Sequence, residues 1–143
     1  MLRSIHFIIL ASLALQCPVL ALADLPALSV HVSNALPATG TVEVTLFNST
    51  ESFMREVFLQ QSGEISDSGE FTARFAGLEE GEYAVVVVHD ENGNEAYDNG
   101  FLGLGAEGIG YSNSARSWFG RPDFDDAKFT VSAESTEIEI RVD

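Results

Sequence analysis

Cysteine is almost missing from this 143-residue chain: the one present, Cys17, lies in an N-terminal stretch that reads as a leader. Past residue 23 no thiol remains, so disulfides and thiol catalysis are ruled out there. Histidine is scarce as well, and the two that follow the leader, His31 and His89, are too few for a zinc site built from several histidines or cysteines. Basic side chains are the third shortage. Seven Lys and Arg face 22 Asp and Glu, and the formal net charge is −15. A phosphate backbone is repelled by such a charge before contact, so nucleic acid is not an expected partner. What is abundant is ordinary for a globular domain, with 45% hydrophobic and 20% charged residues in a length that suits one domain.

Residues 1–6 carry Arg3 as a short positive region, residues 7–22 are almost wholly apolar, and Ala21-Leu22-Ala23 places small residues where a signal peptidase reads. The expectation is a Sec-type signal peptide over 1–23, cleaved before Asp24, and a periplasmic or secreted bacterial protein. A retained membrane helix fits less well, because the apolar run falls short of the roughly 20 residues needed to span and Pro18 interrupts it. Lipidation at Cys17 would want a small residue just before it, where Ala14-Leu15-Gln16 offers none. After cleavage six basic side chains stand against 22 acidic ones, a net charge of −16 without a membrane span.

Residues 24–143 then read as a single domain of short strands. Leu28, Val30 and Val32 alternate with polar neighbours, as do Val42, Val44 and Leu46; Phe71, Ala73 and Phe75; Ala127, Phe129 and Val131; and Ile138, Ile140 and Val142. Period two is the mark of a strand with one buried face. Residues 83–88 form an unbroken apolar run rich in valine, as a central strand covered on both faces requires. The predicted fold is all-β: an antiparallel sandwich of about seven strands, transthyretin-like or immunoglobulin-like. Between the second and third runs, Phe53 with Val57 and Met54 with Phe58 recur at helical spacing, with Asn48 and Glu51 placed as a capping box. A short helix is one reading of that stretch. The other is an irregular crossover whose aromatics plug an end of the sandwich.

Residues 90–125 stand apart, with seven glycines, six aromatics and no periodicity. A loop of that length in a compact domain is usually functional, and so many rings need something to pack on. Three blocks carry a resemblance: FAGLEEGEYAVVVVHDENGN, then FLGLGAEGIGYSNSA, then FGRPDFDDAKFTV. In that order they resemble the bacterial exported family known as domain of unknown function 2141, over nearly all of the chain past the leader. The resemblance implies an exported β-sandwich and brings no activity with it. Its L-x-x-G-x-Y turn (Leu78, Gly81, Tyr83) is similar to that of transthyretin-like sandwich modules, and Glu95 stands where the family commonly has Gly.

Within that long segment Asp90, Asn92, Asn94 and Asp98 fall at relative positions 1, 3, 5 and 9, with the Ala96 carbonyl at 7. This is the order in which an EF-hand-type loop offers oxygens to Ca²⁺. Position 6 is Glu95 instead of glycine and position 12 is Phe101 instead of glutamate, so Glu107 or Asp123 would have to complete the shell. The competing expectation is a plain β-turn at Asn92-Gly93, since Asp and Asn favour such turns through local hydrogen bonds to the backbone. A calcium site predicts that CaCl₂ stabilises beyond NaCl at matched ionic strength. Acidity as mere adaptation to a salty medium predicts that the two salts act alike.

Catalysis has little to stand on: His89-Asp90 with Ser112 or Ser114 suggests a hydrolase triad only on paper, and no G-x-S-x-G elbow occurs. The glycines of 100–110 lack the lysine of a phosphate-binding loop. The expected function is that of a non-catalytic exported module, either structural in the envelope or ligand-binding with a weak calcium loop. The alternative is a carbohydrate- or peptide-binding module using Tyr97, Tyr111, Trp118 and Phe119 as stacking rings. A hydrolase comes last.

Overall fold

The computed structural model describes residues 26–35, 40–93, 107–116 and 120–143. Eight strands run in the order β1 (Ala27–Ser33), β2 (Thr41–Phe47), β3 (Leu59–Glu64), β4 (Phe71–Ala76), β5 (Gly81–Asp90), β6 (Gly108–Tyr111), β7 (Phe129–Val131) and β8 (Thr136–Arg141). They form two sheets. One has three strands in the order β4-β1-β8; the other has β3-β2-β5-β6, with β7 paired to the free part of β5 next to β6. Among the described residues the regular helix is confined to one turn, α1 (Phe124–Ala127), and a 3₁₀ turn at Ser112–Ser114. No helix among them is long and apolar enough to cross a membrane.

The sandwich follows from the alternation. Leu28, Val30 and Val32 of β1, Val42, Val44 and Leu46 of β2, Ala73 and Phe75 of β4, and Ile140 of β8 all bury one face into a single core between the sheets. Tyr83, Val85 and Val87 of β5 join the β2 residues in facing β1, β4 and β8 from the larger sheet. The L-x-x-G-x-Y turn locks the entry to β5: Leu78 is buried and its N–H donates to the Pro26 carbonyl at 3.1 Å, while the Tyr83 hydroxyl donates to the Glu79 carbonyl at 2.9 Å. A tyrosine hydroxyl bonded a few residues back along its own chain is the corner device of Greek-key sandwiches.

The expected all-β sandwich is what the chain forms, in two sheets whose strand pairs are mostly antiparallel, and the differences lie in detail. The sandwich is not wholly antiparallel, since β8 lies parallel to β1 with Val30 opposite Ile138. Ala127 belongs to α1, and the strand begins only at Phe129. β3 and β6 raise the strand number to eight. The stretch after β2 makes a single helical turn, with Phe53 N–H donating to the Ser49 carbonyl and Glu56 N–H to that of Ser52. Ser49, not Asn48, caps it, its hydroxyl accepting the Ser52 N–H at 3.2 Å. Met54 adopts φ +56°, a left-handed conformation that a regular helix cannot propagate through, so the stretch stays a turn and does not lengthen into a helix. Phe53 still packs inward, edge-on to Phe47 at 5.3 Å and to Phe124 at 5.8 Å, whereas Val57 and Phe58 stay exposed.

Candidate functional site

β5 is buried along nearly its whole length, as its valine run requires, because each face meets a different partner. Its odd-numbered residues meet the sandwich core. Ala84 and Val86 lie on the outer face, under Phe47, Phe53, Ala115, Phe124 and Ala127. That cover hangs on one hydroxyl. Ser112, 1% exposed, accepts the Val85 N–H at 2.9 Å and donates to the Ala127 carbonyl at 2.6 Å, joining strand, 3₁₀ turn and α1. The Asn113 amide adds a bond to the Lys128 carbonyl, and Lys128 in turn reaches Glu82 and Asp125 at 3.1 and 3.0 Å. Those carboxylates, Asp125 foremost, hold the Lys128 ammonium above its usual pKa.

The cover stops halfway along the sheet. From Val86 onward the outer face continues as Tyr111, Val88 and Ile109, set side by side by the register that puts Val86 opposite Tyr111 and Val88 opposite Ile109. These side chains floor a groove of about 660 Å³, walled by Met54 and Pro122. Its rim is basic, with Arg116, Arg121 and Arg141. The rim depends on a seam between the sheets, where Ile109 N–H donates to the Asp143 carbonyl and Asp143 N–H to that of Ile109. Glycine makes the seam possible: a Cβ on Gly110 would stand 2.6 Å from Ile140 Cγ2 and 2.7 Å from the Arg141 carbonyl oxygen. Gly110 is thus glycine for close approach of backbone to its neighbours.

At the far end of β5 the candidate calcium positions begin. Asp90 is 7% exposed, and its Oδ1 accepts the Gly93 N–H at 2.6 Å. Gly93 has φ +73°, so an Asx-type turn closes directly after the strand. Glu107, just before β6, is 5% exposed and falls opposite Asp90 when the β5–β6 register is continued by one residue. Asn92 is exposed. Asn94, Ala96 and Asp98 lie outside the described residues, as do Tyr97, Trp118 and Phe119. Among the described residues no three His, Cys, Asp or Glu side chains gather as a metal centre. Tyr111, the fourth ring singled out, is half-buried on the groove floor.

The paper triad does not assemble. His89 and Asp90 are consecutive strand residues and point to opposite faces of the sheet. The His89 imidazole, 1% exposed, lies on the core side with Nδ1 3.8 Å from a Glu91 carboxylate oxygen. The Ser112 hydroxyl is committed to backbone.

Sequence reading found Tyr111 but missed the arginines. Arg116 and Arg141 lie 25 residues apart, and only the β6–β8 seam brings them to one place. The two side chains share one carboxylate, Asp143, with Arg141 Nε at 3.4 Å from Oδ1 and Arg116 on Oδ2.

These features define a class, a two-sheet β-sandwich whose larger sheet bears an open, apolar-floored groove on its outer face. Residues 30–139 match the family described as uncharacterized proteins conserved in bacteria, DUF2141, and the chain belongs to it. No curated protein and no solved structure matches the chain.

Proposed function

We propose that this chain is a non-catalytic, exported ligand-binding module, and that its binding surface is the groove over Val88, Ile109 and Tyr111. The observation that carries this reading is the abrupt end of the outer cover. A sheet face covered over Ala84 opens, from the Val86–Tyr111 pair onward, into a concave apolar surface lined by Val86, Val88, Ile109 and Tyr111. Its volume lies in the range of small-molecule sites, about 300–1,000 Å³, and a half-buried tyrosine gives it both a flat ring and a hydroxyl. Its described floor, aliphatic with the Tyr111 ring, suits a small apolar molecule. Export is read from the leader at 1–23, and mass spectrometry of the secreted or periplasmic protein should find a chain beginning at Asp24.

The test of the binding reading is an amide-resolved NMR titration with 1-octanol. Val88, Ile109, Gly110 and Tyr111 should shift in a saturable way while Val30 and Val44 stay still. Absence of saturable shifts at those four positions, with this and other small amphiphiles, would overturn it.

A second reading is favoured by Asp90 and Glu107, two buried acids at the mouth of 91–106. Weak calcium binding there, at roughly 10⁻⁴ to 10⁻³ M, would tie the two ends of that segment together. Melting in CaCl₂ against NaCl at equal ionic strength tests it: a higher melting temperature in calcium supports the site, and equal values remove it.

A further inference from the structure

The whole sequence holds seven basic residues, and three of them, Arg116, Arg121 and Arg141, line this one groove. In a chain of net charge −15 such a concentration stands out, because everywhere else carboxylates dominate. The geometry points to a ligand class: resting on the groove reading above, the site takes a small amphipathic monocarboxylate, its acid held by the arginines and its hydrocarbon laid over Val88, Ile109 and Tyr111.

The argument begins with Asp143. Its carboxylate receives Arg141 on one oxygen and Arg116 on the other, so two guanidiniums from separate parts of the chain already converge on a single carboxylate. Guanidinium N–H groups are directional donors suited to carboxylate oxygens, whereas an ammonium would act as a point charge. Asp143 itself lines the groove and is about half exposed, so the group it presents can be exchanged for one arriving from solvent.

Arg121 supplies the unused capacity. It is exposed on the same rim and makes no ion pair among the described residues. A third donor group on the same rim as an exchangeable carboxylate lets an incoming acid gain contacts that Asp143 does not use.

The overall charge then limits the ligand. The field of so acidic a protein opposes polyanions, and only close contact with the arginines offsets it for one charge. The hydrocarbon must supply the remainder of the affinity, which the apolar floor allows. Acetate, lacking a tail, is too small to use it.

Calorimetric titration of the purified protein with octanoate, 1-octanol, octyl phosphate and acetate at fixed ionic strength decides the matter. Octanoate should bind at least about tenfold tighter than octanol or acetate, the size of one charge-assisted contact, and added NaCl should weaken octanoate more than octanol. Arg121→Gln removes no ion pair from the described fold, so it should melt like the parent, lose about tenfold in octanoate affinity and keep its octanol affinity. Asp143→Asn should tighten octanoate by removing the resident acid. Octanol binding as tightly as octanoate, or an unchanged octanoate affinity in Arg121→Gln, would overturn the acid-binding claim while leaving the groove reading intact. Octyl phosphate binding more tightly than octanoate would replace carboxylate by phosphate. Failure of all four compounds would sink both readings together.

Discussion

The two faces of β5 are built from the same run of valines and meet different fates. Tyr83, Val85 and Val87 face a second sheet, whose strands present one apolar side chain at every second position, and the interface closes along its length. Ala84, Val86 and Val88 face segments with no regular repeat: a single helical turn after β2, a 3₁₀ turn, and α1. Those segments are short and fixed at a few points, so they cover one end of the face and leave the other as a groove. A strand can therefore be apolar on both sides for two reasons, stability on one and binding on the other. Periodicity alone cannot separate them.

Mutations that tell the faces apart should fall in a definite order. Leu46→Ala empties a fully buried core position and should cost about 2–5 kcal/mol in denaturant unfolding, whereas Val88→Ala on the half-buried groove floor should cost under about 1 kcal/mol. Equal losses would erase the distinction between core and groove. Gly110→Ala drives a Cβ into Ile140 and the Arg141 carbonyl, and a loss of about 1–3 kcal/mol is expected. The same substitution should weaken ligand binding, because the seam it disturbs carries the arginine rim. A fully stable Gly110→Ala protein would show that the seam yields to an added methyl group. Ser112→Ala leaves the Val85 N–H and Ala127 carbonyl without their shared hydroxyl and should cost about 1–2 kcal/mol. Hydrogen exchange should then rise at 124–128 and stay slow in β1 and β2, since only the outer cover loses its clasp.

The smallest expected effect is a pH dependence. Burial raises the Tyr83 pKa above 10.0, and the Glu79 charge adds to it. The folded state thus holds the neutral phenol more firmly than the unfolded chain does. This contribution is complete below the unfolded value near 10 and is lost as pH rises through the higher folded value. Tyr83→Phe should flatten the fall in stability above about pH 10 relative to the parent; an identical alkaline slope would show that other groups govern it.

Much of the fold was legible because β1, β2, β4, β5 and β8 bury alternate or continuous apolar residues, a signal that is local in sequence. β3 was not, since LQQSGE alternates nothing apolar. It is a strand because β2 offers it a ladder, and Gln61 extends that order sideways, its amide both donating to the Arg74 carbonyl and accepting the Arg74 N–H. β6 hid among glycines for a related reason: Gly108 and Gly110 occupy positions where β8 and the residues just after it come too close for a side chain. The groove was half visible. Tyr111 carried its own chemical signature, but the convergence of Arg116, Arg121 and Arg141 arises from pairing between distant segments, which spacing along the chain does not encode. The turn at Asp90 and Gly93 was readable from its residue types, as short polar side chains and glycine dictate local geometry.

The central claim is that the outer face from the Val86–Tyr111 pair onward is a binding surface and the inner face is core. An amide and methyl NMR map recorded with octanoate at saturation tests it most directly. Val88, Ile109, Tyr111 and the arginine side chains at 116, 121 and 141 should move together along one binding curve, with Val30, Val44 and Val87 unmoved. Shifts centred on the three-stranded sheet, or none at the groove positions, would contradict it.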